Sequence, residues 1–339
     1  MINSCNKYIK TLKPYNVYVL PENIKRMNAN ESATPILDYD ILMQNVDEKL
    51  NFYPERKAVK LVEQASKFYK IDTKNIIATN GSDEGIDLCI RTFCNTNDAI
   101  LVFEPTFSMY KQYAEVFGVK TDSIDITQRD NDWFFDENIA IKKAQENNAR
   151  MLFIANPLAN IGEIITKDKL VKIIKSLPNT IIVIDEAYIE FCGLENSLIN
   201  EINNYQNLVI LRTFSKFFGL AGIRLGFIFT NFKDEIMKIK SPYNVNSITC
   251  QIGINVFENI TTALIKQRQK EFLQKRIALT KWLQTFDEIE TIFKSDTNFV
   301  FIKLSCKANI FAIKLEKEFN IKIKAMSGKF DNYCRISVL

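Results

Sequence analysis

The sequence predicts an α/β protein, in which a mostly parallel sheet with helices on both faces is joined to a smaller α+β domain. The first observation is a series of short apolar runs, such as TIIVIDEAY and NLVILRTFS, separated by helical patterning. Near-continuous apolar strands between helices are typical of a parallel sheet covered on both faces. The second is a change near residue 235 to long charged helices. The third is the length of 339 residues, which exceeds what one core usually supports.

The elements follow one another along the chain in the order that this fold requires. Helical patterning over residues 56–70 precedes the strand NIIATN and the helix SDEGIDLCIRTFC, whose acidic start favours a helix N-terminus. The strand AILVFEP ends at a proline. Further strands are predicted in RMLFIANP, TIIVIDEAY, NLVILRTFS and RLGFIFTN. We therefore divide the chain into an N-terminal arm, a large domain and a small domain, over residues 1–34, 35–235 and 236–339.

Composition excludes several classes of function. The net charge of +4 is mild and forms no basic stripe, which predicts a small anionic ligand and no nucleic acid. No signal peptide or 18-residue apolar run is apparent, so we expect no membrane segment. Seven cysteines without paired spacing predict reduced thiols and a cytoplasmic location. Histidine is absent, which excludes catalytic triads with histidine and metal sites with histidine ligands. We expect no metal.

The segment TNGSDEGIDL is the first candidate for an anion site. It places Gly81, Ser82 and Asp83 between a strand and a helix, where free N–H groups and the helix dipole attract anions. A glycine turn before an acidic helix start is more often structural than functional. This segment is therefore informative only together with the rest of the sequence.

Two further segments supply the chemistry. IIVIDEAYIEF ends an apolar strand with Asp185 and Tyr188, and a carboxylate at a buried strand end requires a cation. RTFSKFFGLAGIRLG embeds Lys216 among aromatic residues. The same segment contains side chains that commonly bind phosphate, namely Thr213, Ser215 and Arg224. A phosphate site, a buried carboxylate and an embedded lysine indicate one cofactor, pyridoxal 5'-phosphate.

The chain resembles the fold-type I aminotransferases, and most closely the histidinol-phosphate aminotransferase group. The resemblance covers almost the whole chain, through TLKPY, NANES, FYPE, GSDEGIDL, EPTFSMY, DEAYIEFC, RTFSKFFGLAGIRLG, SDTNFVF and CRISV. It implies that Lys216 forms the Schiff base and carries the proton, that Asp185 pairs with the pyridine nitrogen, and that Tyr188 contacts the 3'-oxygen. The cofactor phosphate would be held by Gly81, Ser82, Asp83, Thr213, Ser215 and Arg224.

The resemblance also implies roles for residues that the local pattern leaves ambiguous. Phe107 would stack on the cofactor ring. Tyr53 would reach the cofactor phosphate of a neighbouring subunit, which implies a homodimer. The N-terminal arm would pack on the small domain and on the partner subunit. Without the resemblance, both could equally be core aromatics. The expected substrate-binding residues are Tyr15, Asn30, Lys324 and Arg335.

One loop departs from the family pattern. Where the family reads NPNNPTG, this chain reads NPLANIG, so Ala159 replaces the asparagine that donates to the 3'-oxygen and Asn160 replaces a proline. We expect a trans bond between them and a reshaped loop. One expectation is that the donor is lost and Tyr188 remains the main partner. The rival expectation is that Asn160 turns inward as a substitute.

These observations predict an aminotransferase that acts on a small phosphorylated amine or amino acid. Histidinol phosphate is the first candidate, with 2-oxoglutarate and glutamate as the oxo and amino partners. A related decarboxylase of phosphorylated amino acids is an alternative, because the reaction depends on which substrate bond lies perpendicular to the ring. A non-catalytic relic that binds cofactor or a protein is a third reading, suggested by Ala159 and the short C-terminus.

Overall fold

The computed structural model describes residues 7–10, 12, 14, 21–46 and 50–339. Its strands in chain order are β1 (Lys25–Met27), β2 (Ile76–Thr79), β3 (Ala99–Glu104), β4 (Lys120–Asp125), β5 (Thr127–Arg129), β6 (Asp132–Phe134), β7 (Met151–Ala155), β8 (Ile181–Asp185), β9 (Leu208–Thr213), β10 (Gly226–Thr230), β11 (Ile289–Ile292), β12 (Phe299–Leu304), β13 (Ile321–Ala325) and β14 (Tyr333–Ser337). Its α-helices are α1 (Tyr39–Leu42), α2 (Val59–Tyr69), α3 (Gly81–Phe93), α4 (Met109–Val116), α5 (Glu137–Glu146), α6 (Lys167–Ser176), α7 (Ile189–Cys192), α8 (Lys233–Ile239), α9 (Ser247–Asn259), α10 (Thr262–Leu283) and α11 (Ala308–Phe319).

The larger sheet lies in the first two thirds of the chain. In the described residues it has seven strands in the order β2-β10-β9-β8-β7-β3-β4. Strand β10 is antiparallel to both of its neighbours, and the other pairs are parallel. The predicted mostly parallel sheet is therefore confirmed.

Both faces of this sheet are buried under helices, as the near-continuous apolar strands predict. Adjacent residues of one strand enter different cores: Ile76 packs in one hydrophobic cluster and Ile77 in the other. The first cluster includes residues of α2, α5, α6 and α9, and the second includes residues of α3, α4 and α8. Helices therefore cover the two faces, which confirms the predicted fold class.

The smaller sheet joins the two ends of the chain. Among the described residues its strand order is β1-β13-β14-β12-β11, with β1 parallel to β13 and the other pairs antiparallel. The segment Lys25–Met27 of the arm thus forms an edge strand of a sheet built from the C-terminal part of the chain. Helix α11 packs against this sheet through buried apolar residues such as Phe311 and Leu315.

The hairpin formed by β5 and β6 packs close to the smaller sheet. Strands β5 and β6 pair with each other, and Trp133 on β6 is buried. Its ring lies 5.3–6.4 Å, centroid to centroid, from the rings of Phe293, Phe301, Phe330 and Tyr333. Aromatic contacts in this range stabilise packing beyond the area they bury. This cluster joins the hairpin to residues on and beside the smaller sheet.

The carboxyl ends of the central strands place functional side chains at one edge of the larger sheet. Strand β8 ends at Asp185 and β9 ends at Thr213. Thr213 is in register with Gly226 at the start of β10, and Gly226 is in register with Thr79 at the end of β2. The residues that follow Thr79, Asp185 and Thr213 therefore meet at this edge.

In the described part of the chain, no helix combines the length and apolar character needed to cross a bilayer.

Candidate active site

Two glycines bring the backbone close together at the edge of the sheet. Gly81 has a φ of +76°, and a Cβ atom there would lie 2.6 Å from Nη2 of Arg224. A Cβ atom on Gly226 would lie 2.5 Å from the carbonyl carbon of Gly81. The Gly226 position is too close to backbone for any side chain, so glycine is required there for β10 and the start of α3 to approach each other, and the positive φ of Gly81 favours glycine at the second position.

The start of α3 and the side chains of Thr213, Ser215 and Arg224 form what we call the cradle, which is suited to an anion. Nη2 of Arg224 lies 3.0 Å from Asp83 Oδ2, and Nη1 donates to Ser215 Oγ at 3.2 Å. Thr213 Oγ1 donates to Ser215 Oγ at 3.0 Å. The side chains of Arg224 and Asp83 remain 43% and 37% exposed. The guanidinium is therefore ordered and accessible at the same time.

Helix α3 begins at this cradle, and no side chain caps its first amides. Asn80 precedes α3 and makes no capping hydrogen bond from its side chain. The first N–H groups of a helix have no intrahelical acceptor and favour an anion. Ser82 and Asp83 lie in this first turn, so their position fits the predicted phosphate site.

Asp185 is buried next to this cradle and accepts two hydrogen bonds. The hydroxyl of Tyr110 donates to Oδ2 at 2.7 Å, and the amide of Ala187 donates to Oδ1 at 3.1 Å. Burial raises the pKa of Asp185 to about 6, and the two hydrogen bonds oppose that rise. A protonated ring nitrogen would supply the cation that a buried carboxylate needs.

Three successive residues of the arm contact three of the predicted functional side chains. The carbonyl of Asn28 accepts from Nη2 of Arg335 at 2.9 Å, and the carbonyl of Ala29 accepts from Nζ of Lys216 at 2.8 Å. Nδ2 of Asn30 donates to the hydroxyl of Tyr188 at 3.0 Å. We call residues 28–30 the arm bridge.

The arm bridge is itself held by the small domain. The amide of Asn30 donates to Ser337 Oγ at 2.9 Å, and Ser337 Oγ donates to Asn30 Oδ1 at 2.8 Å. Asn298 Nδ2 donates to the Asn30 carbonyl at 3.0 Å. Asn30 is fully buried with a φ of +55°, a conformation that asparagine tolerates better than most residues. Asn30 therefore contacts both Tyr188, which follows β8 of the larger sheet, and Ser337 on β14 of the smaller sheet.

Lys216 projects into the site from a segment anchored by aromatic side chains. Phe214, Phe217 and Phe218 are fully buried around it. Its ammonium lies 5.9 Å from the ring centroid of Tyr188, and its carbonyl accepts from Ser32 at 2.6 Å. The ammonium, bonded to a single carbonyl, lies close to the side chain predicted to contact the cofactor.

Arg335 and Lys324 form a second cationic region on the small domain. They are in register on β14 and β13. The guanidinium of Arg335 lies 5.5 Å from the ring centroid of Phe299. Although the Lys324 side chain is exposed overall, desolvation of its ammonium and the nearby charge of Arg335 lower its pKa. Two neighbouring cations of this kind suit an anionic substrate.

Phe107 and Tyr53 differ in their relation to this site. Phe107 is half-buried, and its ring meets that of Tyr110 edge-on, with centroids 5.7 Å apart. Tyr53 is 81% exposed and stacks on Tyr243 at 4.5 Å. No contact of Tyr53 with the other predicted site residues is among those found in the described chain. Tyr15 lies outside the described residues.

Sequence reasoning assigned no role to Tyr110 and left that of Asn160 open. Tyr110 lies within the quoted motif EPTFSMY, three residues after Phe107, but nothing in that motif indicates its contact with Asp185. Asn160 lies in NPLANIG and its side chain is buried, but its Nδ2 donates to the carbonyl of Thr106 and its Oδ1 accepts from Arg335, so its role as a substitute donor to the 3'-oxygen stays a prediction. The cis bonds of the described chain precede Pro105 and Pro157, so the expected trans bond between Ala159 and Asn160 is confirmed.

A buried ionic triad lies directly behind the site. Arg212 pairs with Glu186 at 2.8 Å and with Glu190 at 2.7 Å, and all three side chains are at most 1% exposed. Ser197 also accepts from Arg212 at 2.7 Å and donates to Glu186 at 2.7 Å. Glu186 follows Asp185, and Arg212 precedes Thr213. The triad therefore ties together the ends of the two strands that carry the site.

The described residues contain no cluster of three or more potential metal-ligating side chains of the His, Cys, Asp or Glu type. The donors present do fit pyridoxal phosphate. An uncapped helix start with a guanidinium suits its phosphate, a buried carboxylate suits its ring nitrogen, and a lysine amine suits its aldehyde.

The chain matches known aminotransferases over nearly its full length. The model of the family "Aminotransferase class I and II" matches residues 20–338. A histidinol-phosphate aminotransferase of Clostridium kluyveri is 36% identical over 330 residues, which cover 96% of this chain and 91% of that one. The corresponding protein of Thermoanaerobacter pseudethanolicus is 33% identical over 345 residues, covering 99% and 94%.

Solved structures share the fold of this chain. The histidinol-phosphate aminotransferase of Sinorhizobium meliloti, in complex with pyridoxal-5'-phosphate, matches with a TM-score of 0.88 at 19% identity, covering 100% of this chain and 94% of that one. The L-threonine-O-3-phosphate decarboxylase of Porphyromonas gingivalis matches with a TM-score of 0.78 at 21% identity, covering 93% and 94%. The fold is therefore shared by enzymes named for different reactions.

Proposed function

Because the chain belongs to the aminotransferase class I and II family, we propose that it transfers an amino group from histidinol phosphate to 2-oxoglutarate, using pyridoxal phosphate. The arm bridge is the observation that carries this proposal. Its successive residues contact Arg335, Lys216 and Tyr188, so an anion-binding arginine, an amine and a phenol are held around one site. A substrate with an anion at one end and an amine at the other would place its anion at Arg335 and its amine near Nζ of Lys216.

Each side chain has a defined task in this proposal. When bound, pyridoxal phosphate supplies an aldehyde that condenses with amines and a ring that accepts electrons from the substrate carbon. Nζ of Lys216 would hold the aldehyde and, as a free amine, would move a proton from the substrate carbon to the cofactor carbon. Asp185 holds the proton on the ring nitrogen through its carboxylate. Tyr188 contacts the 3'-oxygen with its hydroxyl.

The remaining groups bind and orient the two partners. Arg224, Ser215 and the first amides of α3 hold the cofactor phosphate at the sheet edge. Phe107 packs on the cofactor ring. Arg335 and Lys324 bind the substrate phosphate and, in the second half of the reaction, a carboxylate of glutamate or 2-oxoglutarate. One cationic region therefore serves both partners.

We also propose a cytoplasmic homodimer with the arm, large and small domains divided as the sequence predicts. The exposed Tyr53 supports the dimer, because a large aromatic residue that is 81% exposed is suited to a subunit interface. In this arrangement Tyr53 reaches the cofactor phosphate of the other subunit. The edge strand β1 supports packing of the arm on the small domain.

The test is an assay of products with the purified protein and added pyridoxal phosphate. Histidinol phosphate and 2-oxoglutarate should give glutamate and a keto product without carbon dioxide, while histidinol, which lacks the phosphate, should react far more slowly. Threonine O-3-phosphate is the comparison for decarboxylation: carbon dioxide without glutamate would replace the proposal with the lyase reading. Absence of any product would support the non-catalytic reading.

The control is Lys216→Ala, which should abolish turnover while the protein stays folded. Borohydride reduction of the wild type followed by peptide mass spectrometry should place the cofactor mass on the peptide that contains Lys216. Attachment at another lysine would remove Lys216 from its proposed role.

A further inference from the structure

Asn160 is buried between the two domains and satisfies both ends of its amide. It is 5% exposed. Nδ2 donates to the carbonyl of Thr106 at 2.8 Å, and Oδ1 accepts from Nη1 of Arg335 at 2.9 Å. A carbonyl can only accept and a guanidinium can only donate, so a single orientation of the amide satisfies both neighbours. The side chain therefore links the segment before Phe107 to the cationic region.

The backbone of Asn160 explains why asparagine suits this position. Its φ is +74°, in the left-handed region that asparagine tolerates and that proline, with φ near −65°, cannot adopt. The proline that the family pattern places here would therefore require a different loop. The substitution at this position and the inward side chain are parts of one local arrangement.

Contacts in the described part of the chain hold Arg335 from several sides. Asn160 accepts from Nη1, the carbonyl of Asn28 accepts from Nη2, and the ring of Phe299 lies 5.5 Å from the guanidinium carbon. A free arginine side chain would lose considerable rotamer freedom on binding an anion. Because these contacts order Arg335 beforehand, part of that loss does not oppose substrate binding.

We propose that Asn160 is the positioning residue for Arg335, and that through it the NPLANIG loop sets the affinity for the anionic end of the substrate. This inference rests on the proposed role of Arg335 in binding substrate. It assigns Asn160 no contact with the reacting atoms. The contact with Thr106 fixes the amide, and the amide then fixes Nη1 of Arg335.

The test uses the cofactor-loaded protein and inorganic phosphate as the probe, measured by isothermal titration calorimetry. Asn160→Gly removes the side chain and keeps a residue that accepts the left-handed φ. We expect phosphate to bind at least about tenfold more weakly, as for the loss of a hydrogen bond to a charged group. Asn148→Gly is the matched control, since Asn148 is exposed with a φ of +46° and should leave phosphate binding unchanged.

Asn160→Asp separates the donor from the acceptor. It keeps an oxygen for Arg335 but sets a second oxygen against the Thr106 carbonyl, and its charge competes with the anion for the guanidinium. We expect it to weaken phosphate binding more than Asn160→Gly does. Tighter binding in this variant than in the wild type would contradict the positioning role.

A double-mutant cycle with Arg335→Ala distinguishes positioning from a direct effect. If Asn160 acts through Arg335, adding Asn160→Gly to Arg335→Ala should change phosphate affinity by less than about twofold. Additive losses, an unchanged affinity in Asn160→Gly, or no phosphate binding by the wild type would each overturn the inference. A merely structural effect would also lower the thermal midpoint and the retention of cofactor, both of which we expect to stay near wild type.

This readout is independent of turnover. If phosphate binding depends on Asn160 through Arg335 but histidinol phosphate gives no product, the proposed function fails and the inference stands. If histidinol phosphate reacts and Asn160→Gly changes neither its KM nor phosphate binding, the inference alone fails.

Discussion

The hydroxyl of Tyr110 donates a 2.7 Å hydrogen bond to Oδ2 of Asp185, and both side chains are buried. The two residues lie 75 positions apart in the sequence. Tyr110 comes from the first turn of α4 and Asp185 from the end of β8. This bond stabilises the charged form of a carboxylate whose burial favours the neutral form.

Tyr110→Phe should therefore weaken cofactor binding. Without the hydroxyl the pKa of Asp185 rises further above about 6, so less of the carboxylate is available to pair with a protonated ring nitrogen at pH 7. A hydrogen bond to a charged group is worth about 1.5–3 kcal/mol, which corresponds to a loss of affinity of roughly tenfold or more. Absorbance titration of the cofactor-free protein measures this. Tyr205→Phe, away from the site, is the control, and equal affinities in all three proteins would contradict the prediction.

The raised pKa of Asp185 also predicts how stability depends on pH in the cofactor-free protein. The ordinary value is 3.8 and the folded value is about 6, so between these pH values the folded state binds more protons than the unfolded state. The free energy of unfolding should therefore fall as pH rises through this window, by about 3 kcal/mol in total, because one pKa unit corresponds to about 1.4 kcal/mol.

Asp185→Asn should remove that component of the decline. Urea unfolding at pH 4, 5, 6 and 7 measures the free energy of unfolding of wild type and variant. The difference between the two free energies should change across the window and become constant above it. Asp287→Asn, at an exposed carboxylate, is the control. A difference that does not vary with pH would show that the buried carboxyl does not titrate as proposed.

Loss of the arginine behind the site should destabilise the protein strongly. Arg212→Met leaves Glu186 and Glu190 buried without their cation, and breaking a buried pair in this way costs about 3–5 kcal/mol. Arg91→Met removes the partner of Asp87 on the partly exposed side of α3 and should cost about 1 kcal/mol or less. Urea unfolding of both variants provides the comparison. Similar small losses would mean that the triad contributes little to stability.

The proposed exchange of Tyr53 between subunits predicts complementation. Tyr53→Ala and Lys216→Ala should each impair activity when purified alone. In a mixed dimer, one site would combine an intact Lys216 with an intact Tyr53 from the other subunit, while the second site carries both changes. Random mixing in a twofold dimer should therefore restore about one quarter of wild-type activity. Activity that stays at the mean of the two separate variants, or an active monomer in sedimentation, would exclude the shared site.

The sequence predicts the larger sheet well because local pattern and tertiary role agree there. Strands β7, β8 and β9 are short, mostly apolar runs rich in isoleucine, valine and leucine and are buried throughout, so their composition and length identify them. Strands β1 and β13 read KRM and IKIKA. Both are too rich in basic residues to be identified from apolar composition, and β1 is also too short. Their pairing with each other depends on the folded small domain.

The same distinction applies to the site. The residues of the cradle lie in contiguous motifs that can be recognised before folding. Tyr110 and Asn160 act through partners 75 and 175 positions away, Asp185 and Arg335, and no local pattern shows such a contact. Asn160 also depends on a left-handed backbone conformation, which the sequence permits but does not require.

The place of β14 in the smaller sheet has a consequence for biosynthesis. This strand pairs with β12 on one side and β13 on the other, yet it follows both in the chain. It also carries Arg335 and Ser337, which bind the arm bridge. On the ribosome, the larger sheet can form while the middle of the smaller sheet is still inside the exit tunnel. The residues of the cradle can thus come together before Arg335 is synthesised, and the contacts of the arm bridge with Arg335 and Ser337 form only after β14 has emerged.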